Sequence, residues 1–82
     1  MNAPSTDVVL AALYAVAPEA EAVTLQPDVE LREQLDFDSL DFLNFVEALA
    51  ERTGIVVSVR DYPQLVSLES CSAYIAQHQQ AR

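Results

Sequence analysis

The chain has no lysine and no tryptophan, one glycine and one cysteine in 82 residues. Each scarcity excludes something. A single glycine is too few for a fold built from tight hairpins. The lone Cys71 forbids an intramolecular disulfide framework. Cations are scarce too: Arg32, Arg52, Arg60 and Arg82 face 13 acids, for a net charge of −9. A nucleic-acid surface needs clustered cations, so that class is excluded as a partner. An anionic membrane would repel the chain as well. There is no signal peptide and no long apolar run, so a cytoplasmic, membrane-free location is expected.

What is present is apolar residues, about half of the chain (51 %). That suffices for one small core, but the length leaves little room for a deep enzyme cleft. The charge suits a basic protein surface reached by electrostatic steering. It also serves plain solubility. Like charges over the surface favour a monomer. Residues 1–82 read as one domain, with 1–4 a disordered lead and 79–82 a frayed tail.

Helical periodicity dominates. Ser5 or Thr6 opens a helix whose apolar stripe is Val9, Leu10, Leu13, Val16 and Ala17, and Pro18 stops it. Residues 18–37 form a long connection with scattered Val23, Leu25, Val29, Leu31 and Leu35, which predicts a packed loop with a helical turn near Leu31 to Leu35. Asp38 is the expected N-cap of the clearest helix, with Asp41 three residues on and Gly54 at its end. Phe42, Phe45, Val46 and Leu49 form its core stripe, while Leu40, Leu43, Glu47 and Glu51 lie beside it. Ile55, Val56, Val57 and Val59 have strand propensity, but one short strand would leave its backbone unpaired, so an extended connection is expected. A short helix or turn follows at Arg60 to Gln64, interrupted by Pro63. Ser67 caps the last helix, with Leu68, Cys71, Ser72, Ile75 and Gln79 at helical spacing and Tyr74 beside them. The expected fold is all-α, a small bundle of three main helices plus a short third helix, with a long first loop.

The chemistry sits in Leu35-Asp36-Phe37-Asp38-Ser39-Leu40-Asp41. A serine in the first turn of a helix lies where free backbone N–H groups and the helix dipole tolerate an anion. The flanking Asp36, Asp38 and Asp41 oppose that anion and make more sense as features read by a basic modifying enzyme. Equally, Asp38 is an ordinary N-cap and Ser39 an ordinary first helical residue.

In order and spacing these residues resemble the acyl carrier protein family. There Asp-Ser-Leu opens the second helix and the serine bears 4′-phosphopantetheine. Here that triplet is Asp38-Ser39-Leu40, preceded by Leu35 and followed by Gly54-Ile55 and Tyr74-Ile75. The resemblance covers roughly residues 5–78. It implies that a phosphopantetheinyl transferase with Mg²⁺ moves the arm from coenzyme A to Ser39, and that the chain is not an enzyme but holds an acyl thioester for acyl-transferring, ligase or synthase enzymes. It implies that Asp36, Asp38, Asp41, Glu47 and Glu51 meet basic partner residues, with Leu40 and Leu43 supplying apolar contact. Phe42, Tyr62 and Leu65 are the candidates for lining an acyl cleft; Phe45, Val46 and Leu49 read as core.

The chain departs from the family where Asp36 replaces a common Gly and Phe37 a small residue. The short third helix, Arg60-Asp61-Tyr62-Pro63, is also less acidic than usual. Alternatives are a peptidyl or aminoacyl carrier, an unmodified helical interaction module, and a very small hydrolase. For the last, Ser39 and His78 lack an orienting acid and an oxyanion motif. No metal ligand set is expected. Cys71 reads as a small buried hydrophobe.

Overall fold

The computed structural model describes residues 4–80, with side chains described from Thr6 to His78. Most of the expected lead (1–4) and the end of the expected tail (79–82) therefore lie outside the described residues. Four α-helices occur in it: α1 (Pro4–Val16), α2 (Leu31–Gln34), α3 (Ser39–Thr53) and α4 (Leu68–Gln80). Two 3-10 helices join them, Pro18–Ala22 and Val59–Leu65. Among the described residues there is no strand, as the unpaired-backbone argument requires for residues 55–58.

α1 begins at Pro4, earlier than the expected Ser5 or Thr6. A proline is at home in a first helical turn because its missing N–H would be unpaired there anyway. Val9, Ala12, Leu13 and Ala17 are buried, while Leu10 and Val16 are half-buried. That stripe packs against both α3 and α4, so α1 is the common wall of the bundle. Thr6 and Ser72 bring their hydroxyls within 3.1 Å across the α1–α4 seam. Pro18 ends α1 by opening a 3-10 helix in the next turn.

The long connection is packed down, as expected. Leu31 and Leu35 are buried, Leu25 and Val29 are half-buried, and Val23 is the exposed exception. Gln34 ties it together. Its Nε2 donates to the carbonyls of Gln26 (3.0 Å) and Val29 (2.8 Å), and its Oε1 accepts from the Gln26 amide. Two longer-range bonds anchor the loop to the far end of the chain. The Leu31 amide donates to the Val66 carbonyl at 2.8 Å, and the Glu69 amide to Pro27 at 2.9 Å.

α3 starts and stops on local chemistry. At its C-terminus Gly54 takes φ 75°, the left-handed conformation an L-residue avoids, and its amide donates to Ala50 at 2.8 Å. Phe45, Val46, Ala48 and Leu49 face the core.

The Val59–Leu65 segment differs from the interrupted turn expected of it. Pro63 sits inside a continuous 3-10 helix. The tighter i→i+3 winding and the shortness of the segment let one missing donor pass. Ser67 caps α4 as expected, its Oγ accepting the Ser70 amide at 3.1 Å while Ser70 Oγ accepts the Ser67 amide at 3.1 Å. α4 then runs to Gln80, through the stretch from Gln77 expected to fray. Leu68, Cys71, Tyr74 and Ile75 complete the core.

Candidate functional site: the first turn of α3 and its cavity

The Asp38-Ser39-Leu40-Asp41 turn is fixed by a reciprocal pair of bonds. Asp38 Oδ1 accepts the Asp41 amide at 2.8 Å, and Asp41 Oδ2 accepts the Asp38 amide at 3.3 Å. This is a capping box with aspartate at both corners. The sequence places Asp41 three residues after the N-cap, and the structure adds that its side chain bonds back to the Asp38 amide. Asp41 is half-buried and its carboxylate closes the turn, so it serves the helix start as well as any partner-facing surface.

Neither bond uses the Ser39 hydroxyl. Ser39 is the first residue of α3 and is exposed. The capping box therefore holds the backbone of Ser39 rigid while leaving Oγ open to a second protein.

A cavity of about 380 Å³ opens beside it, lined by Arg32, Asp38, Ser39, Phe42, Leu43, Tyr62, Pro63 and Val66. Its wall is chiefly apolar. Phe42 and Tyr62 meet edge-to-face, with centroids 5.5 Å apart and planes at 77°. Both candidate lining aromatics are thus brought to the cavity. Leu65 is not: it is fully buried in the core, a correction to its place among the cleft candidates. In a 3-10 helix residues three apart share a face. Leu65, at the inner end of that face, takes the core while Tyr62 takes the rim.

Along the outer face of α3, Leu40, Leu43, Glu47 and Glu51 are exposed. Leu40 (64 %) and Leu43 (43 %) are large apolar side chains facing water. Asp36 is exposed in the link before the helix. Phe37 is not a surface feature. It is buried and meets Phe45 edge-on at 6.0 Å. The chain there alternates Leu35 in, Asp36 out, Phe37 in, Asp38 out, and this period of two was a legible sign of Phe37's burial.

Two residues that sequence reading passed over complete the site. Arg32 lines the cavity beside Ser39. α2 carries it there because the Leu31 amide is bonded to Val66, another lining residue. Asp61 holds the other wall. Its carboxylate accepts from the buried Tyr74 hydroxyl at 2.8 Å, which fixes the 3-10 helix that bears Tyr62. Burial first, and Asp61 second, push the Tyr74 phenol up to about 12.

Cys71 and His78 are both engaged in packing. Cys71 is buried, and desolvation pushes its thiol up to about 12. His78 stacks on Tyr74 with centroids 3.9 Å apart, and its Nδ1 lies 2.9 Å from the Tyr74 carbonyl. A carbonyl only accepts, so Nδ1 carries the proton and is occupied.

An exposed serine at a capped helix start, beside an apolar cavity and on an acidic helical bundle, suits attachment of a group that a second protein must reach. The match to known families agrees. The family described as "Phosphopantetheine attachment site" matches residues 8–75, and the chain belongs to that family. It is a carrier protein of the kind whose cofactor is covalently attached 4′-phosphopantetheine, and which works with a phosphopantetheinyl transferase and biosynthetic enzymes. No curated protein matches the chain. Among the described residues no helix is long and apolar enough to cross a membrane.

The residues present fit the group. An exposed hydroxyl gives a point of attachment, and the adjoining apolar cavity gives space for part of an arm or its cargo.

Proposed function

We propose that the chain is an acyl carrier that bears its arm on Ser39 and delivers acyl intermediates to enzymes of fatty acid, polyketide or related secondary-metabolite biosynthesis. The observation that carries this reading is the exposed Ser39 hydroxyl at the mouth of a cavity with a chiefly apolar wall. During loading, Ser39 Oγ forms a bond to the phosphorus on the pantetheine side of coenzyme A. The pyrophosphate P–O bond breaks, adenosine 3′,5′-bisphosphate leaves, and the serine proton passes to the transferase. The arm supplies a terminal thiol that holds the cargo as a thioester. Asp38 and Leu40 flank the attachment point, so a transferase reads them with it.

The chain's own residues orient and release. The capping box holds the Ser39 backbone. Asp36, Glu47 and Glu51, with the partly engaged Asp41, offer negative charge to a basic partner. Leu40 and Leu43 give that partner an apolar contact. Exposed charges set on-rate and salt dependence more than residence time, which suits a shuttle that must leave. Phe42 and Tyr62 narrow the cavity, which favours short cargo. The reading includes a monomer in the cytoplasm that catalyses nothing itself, with the carrier domain over residues 8–75.

A peptidyl or aminoacyl carrier uses the same arm. The two are separated by offering the armed chain to acyl-transferring and amino-acid-activating enzymes side by side. Loading with carboxylic acyl groups and not with amino acids is the expected outcome; preferential aminoacylation would replace acyl with aminoacyl in this reading.

A further inference from the structure

We propose that Arg32 is the docking group for the phosphodiester on Ser39, holding the arm along the cavity instead of leaving it free in water. The inference rests on the reading that Ser39 bears the arm.

The phosphodiester is a permanent anion, and the acids nearest in sequence to Ser39, namely Asp36, Asp38 and Asp41, oppose it. Arg32 is the one cation among the residues lining the cavity that Ser39 also lines. Arg52 is directed elsewhere, donating from Nη1 to the Ala48 carbonyl at 3.4 Å near the far end of α3. In a chain of net charge −9 with four arginines, a guanidinium at this cavity stands against the general trend. Its fork matches phosphate oxygens in pairs, which a lysine cannot do. Its place is set by the backbone, since α2 is pinned through the Leu31–Val66 bond. With its phosphate held there, the arm lies against Phe42 and Tyr62, and its terminal thiol is partly sheltered until a partner draws it out.

The test uses armed protein, with Arg32→Gln and Arg32→Lys beside the unmodified sequence, each confirmed by intact mass to carry one arm. Two quantities are read: ³¹P relaxation, and the rate at which neutral iodoacetamide alkylates the arm's thiol. Buried Cys71 does not compete for the reagent. The phosphorus of the parent should relax with the folded domain. Its thiol should react roughly twofold to fivefold more slowly than in Arg32→Gln, the range an exposed ion pair supports. Arg32→Lys should fall between. Salt at about 1 M, where screening acts within about 3 Å, should bring the parent to the level of Arg32→Gln.

Equal relaxation and equal alkylation in parent and Arg32→Gln would overturn the inference. So would a difference that emerges only with a carboxylate-bearing cargo, because Arg32 would then read cargo and not the arm. A chain that accepts no arm overturns this inference together with the reading beneath it. An armed chain indifferent to Arg32 overturns the inference alone.

Discussion

The Tyr74 hydroxyl, buried in α4, donates to Asp61 at 2.8 Å and so fastens the 3-10 helix that carries one wall of the cavity. Removing the hydroxyl leaves Asp61 only its long contact with Gln64 at 3.5 Å. A hydrogen bond to a charged group contributes about 1.5–3 kcal/mol. Tyr74→Phe should lower stability by about that much while keeping the ring's packing. Urea denaturation reads the loss. An unchanged midpoint would mean that the bond contributes nothing to holding the wall.

Phe37 and Asp36 are neighbours with opposite roles. Phe37 is buried against Phe45, so Phe37→Ala should cost about 3–4 kcal/mol, a large part of a small domain's stability. Phe37→Leu should fold and be modified at the parental rate. Asp36→Gly, at an exposed position, should instead change the rate of modification and its salt dependence. Transferase kinetics on both variants check the assignment; a slow Phe37→Leu with normal stability would put Phe37 in the recognition surface.

At Gly54 nothing lies within 4 Å of an added Cβ, so space is no obstacle. The whole cost of Gly54→Ala is the left-handed backbone at φ 75°, about 1–2 kcal/mol. In a domain of this size each kcal/mol lowers Tm by about 4–8 °C. Calorimetry should show a fall of that order. Parental Tm in the alanine variant would show that α3 ends equally well without the left-handed turn.

The raised Cys71 thiol links stability to alkaline pH. Its ordinary value is 9.0, and burial pushes it to about 12 in the fold. Between those values the unfolded chain has lost a proton that the folded chain keeps. Folding is therefore penalised as pH rises, and nothing is lost below about pH 8. Tyr74, raised from 10.0 to about 12, acts in the same direction from a higher starting point. At about pH 10.5 the thiol should cost on the order of 1–2 kcal/mol relative to neutral pH. Denaturation of the parent and of Cys71→Ala across that range separates the two groups: the alanine variant should show the shallower decline. Equal slopes would contradict the burial of the thiol.

How much of this was legible in the sequence follows how local each feature is. α3 was readable at both ends because Asp38, Asp41 and Gly54 act through residues three or four apart. The stripes of α1 and α4 followed from period. The family was readable from the Asp38-Ser39-Leu40 triplet and from the order of the landmarks around it. Gln34 was not, because its partners Gln26 and Val29 lie in irregular backbone whose path no period describes. Arg32 was missed for a related reason. α2 has only four residues, and what it faces is decided by a bond from Leu31 to Val66, far along the chain. The place of Leu65 was not legible because Tyr62 and Leu65 share one face of the 3-10 helix, and spacing does not tell which end of that face reaches the core. Phe37 is placed inside by the in-out alternation of residues 35–38, a local signal.

The central claim, that Ser39 is where the arm is attached, is tested most directly by intact mass. The chain is incubated with coenzyme A, Mg²⁺ and a broad-specificity phosphopantetheinyl transferase, beside a folded Ser39→Ala variant. The account predicts a gain of one phosphopantetheine in the parent and none in the variant. The same gain in Ser39→Ala, or no gain in the parent with several transferases, would contradict it.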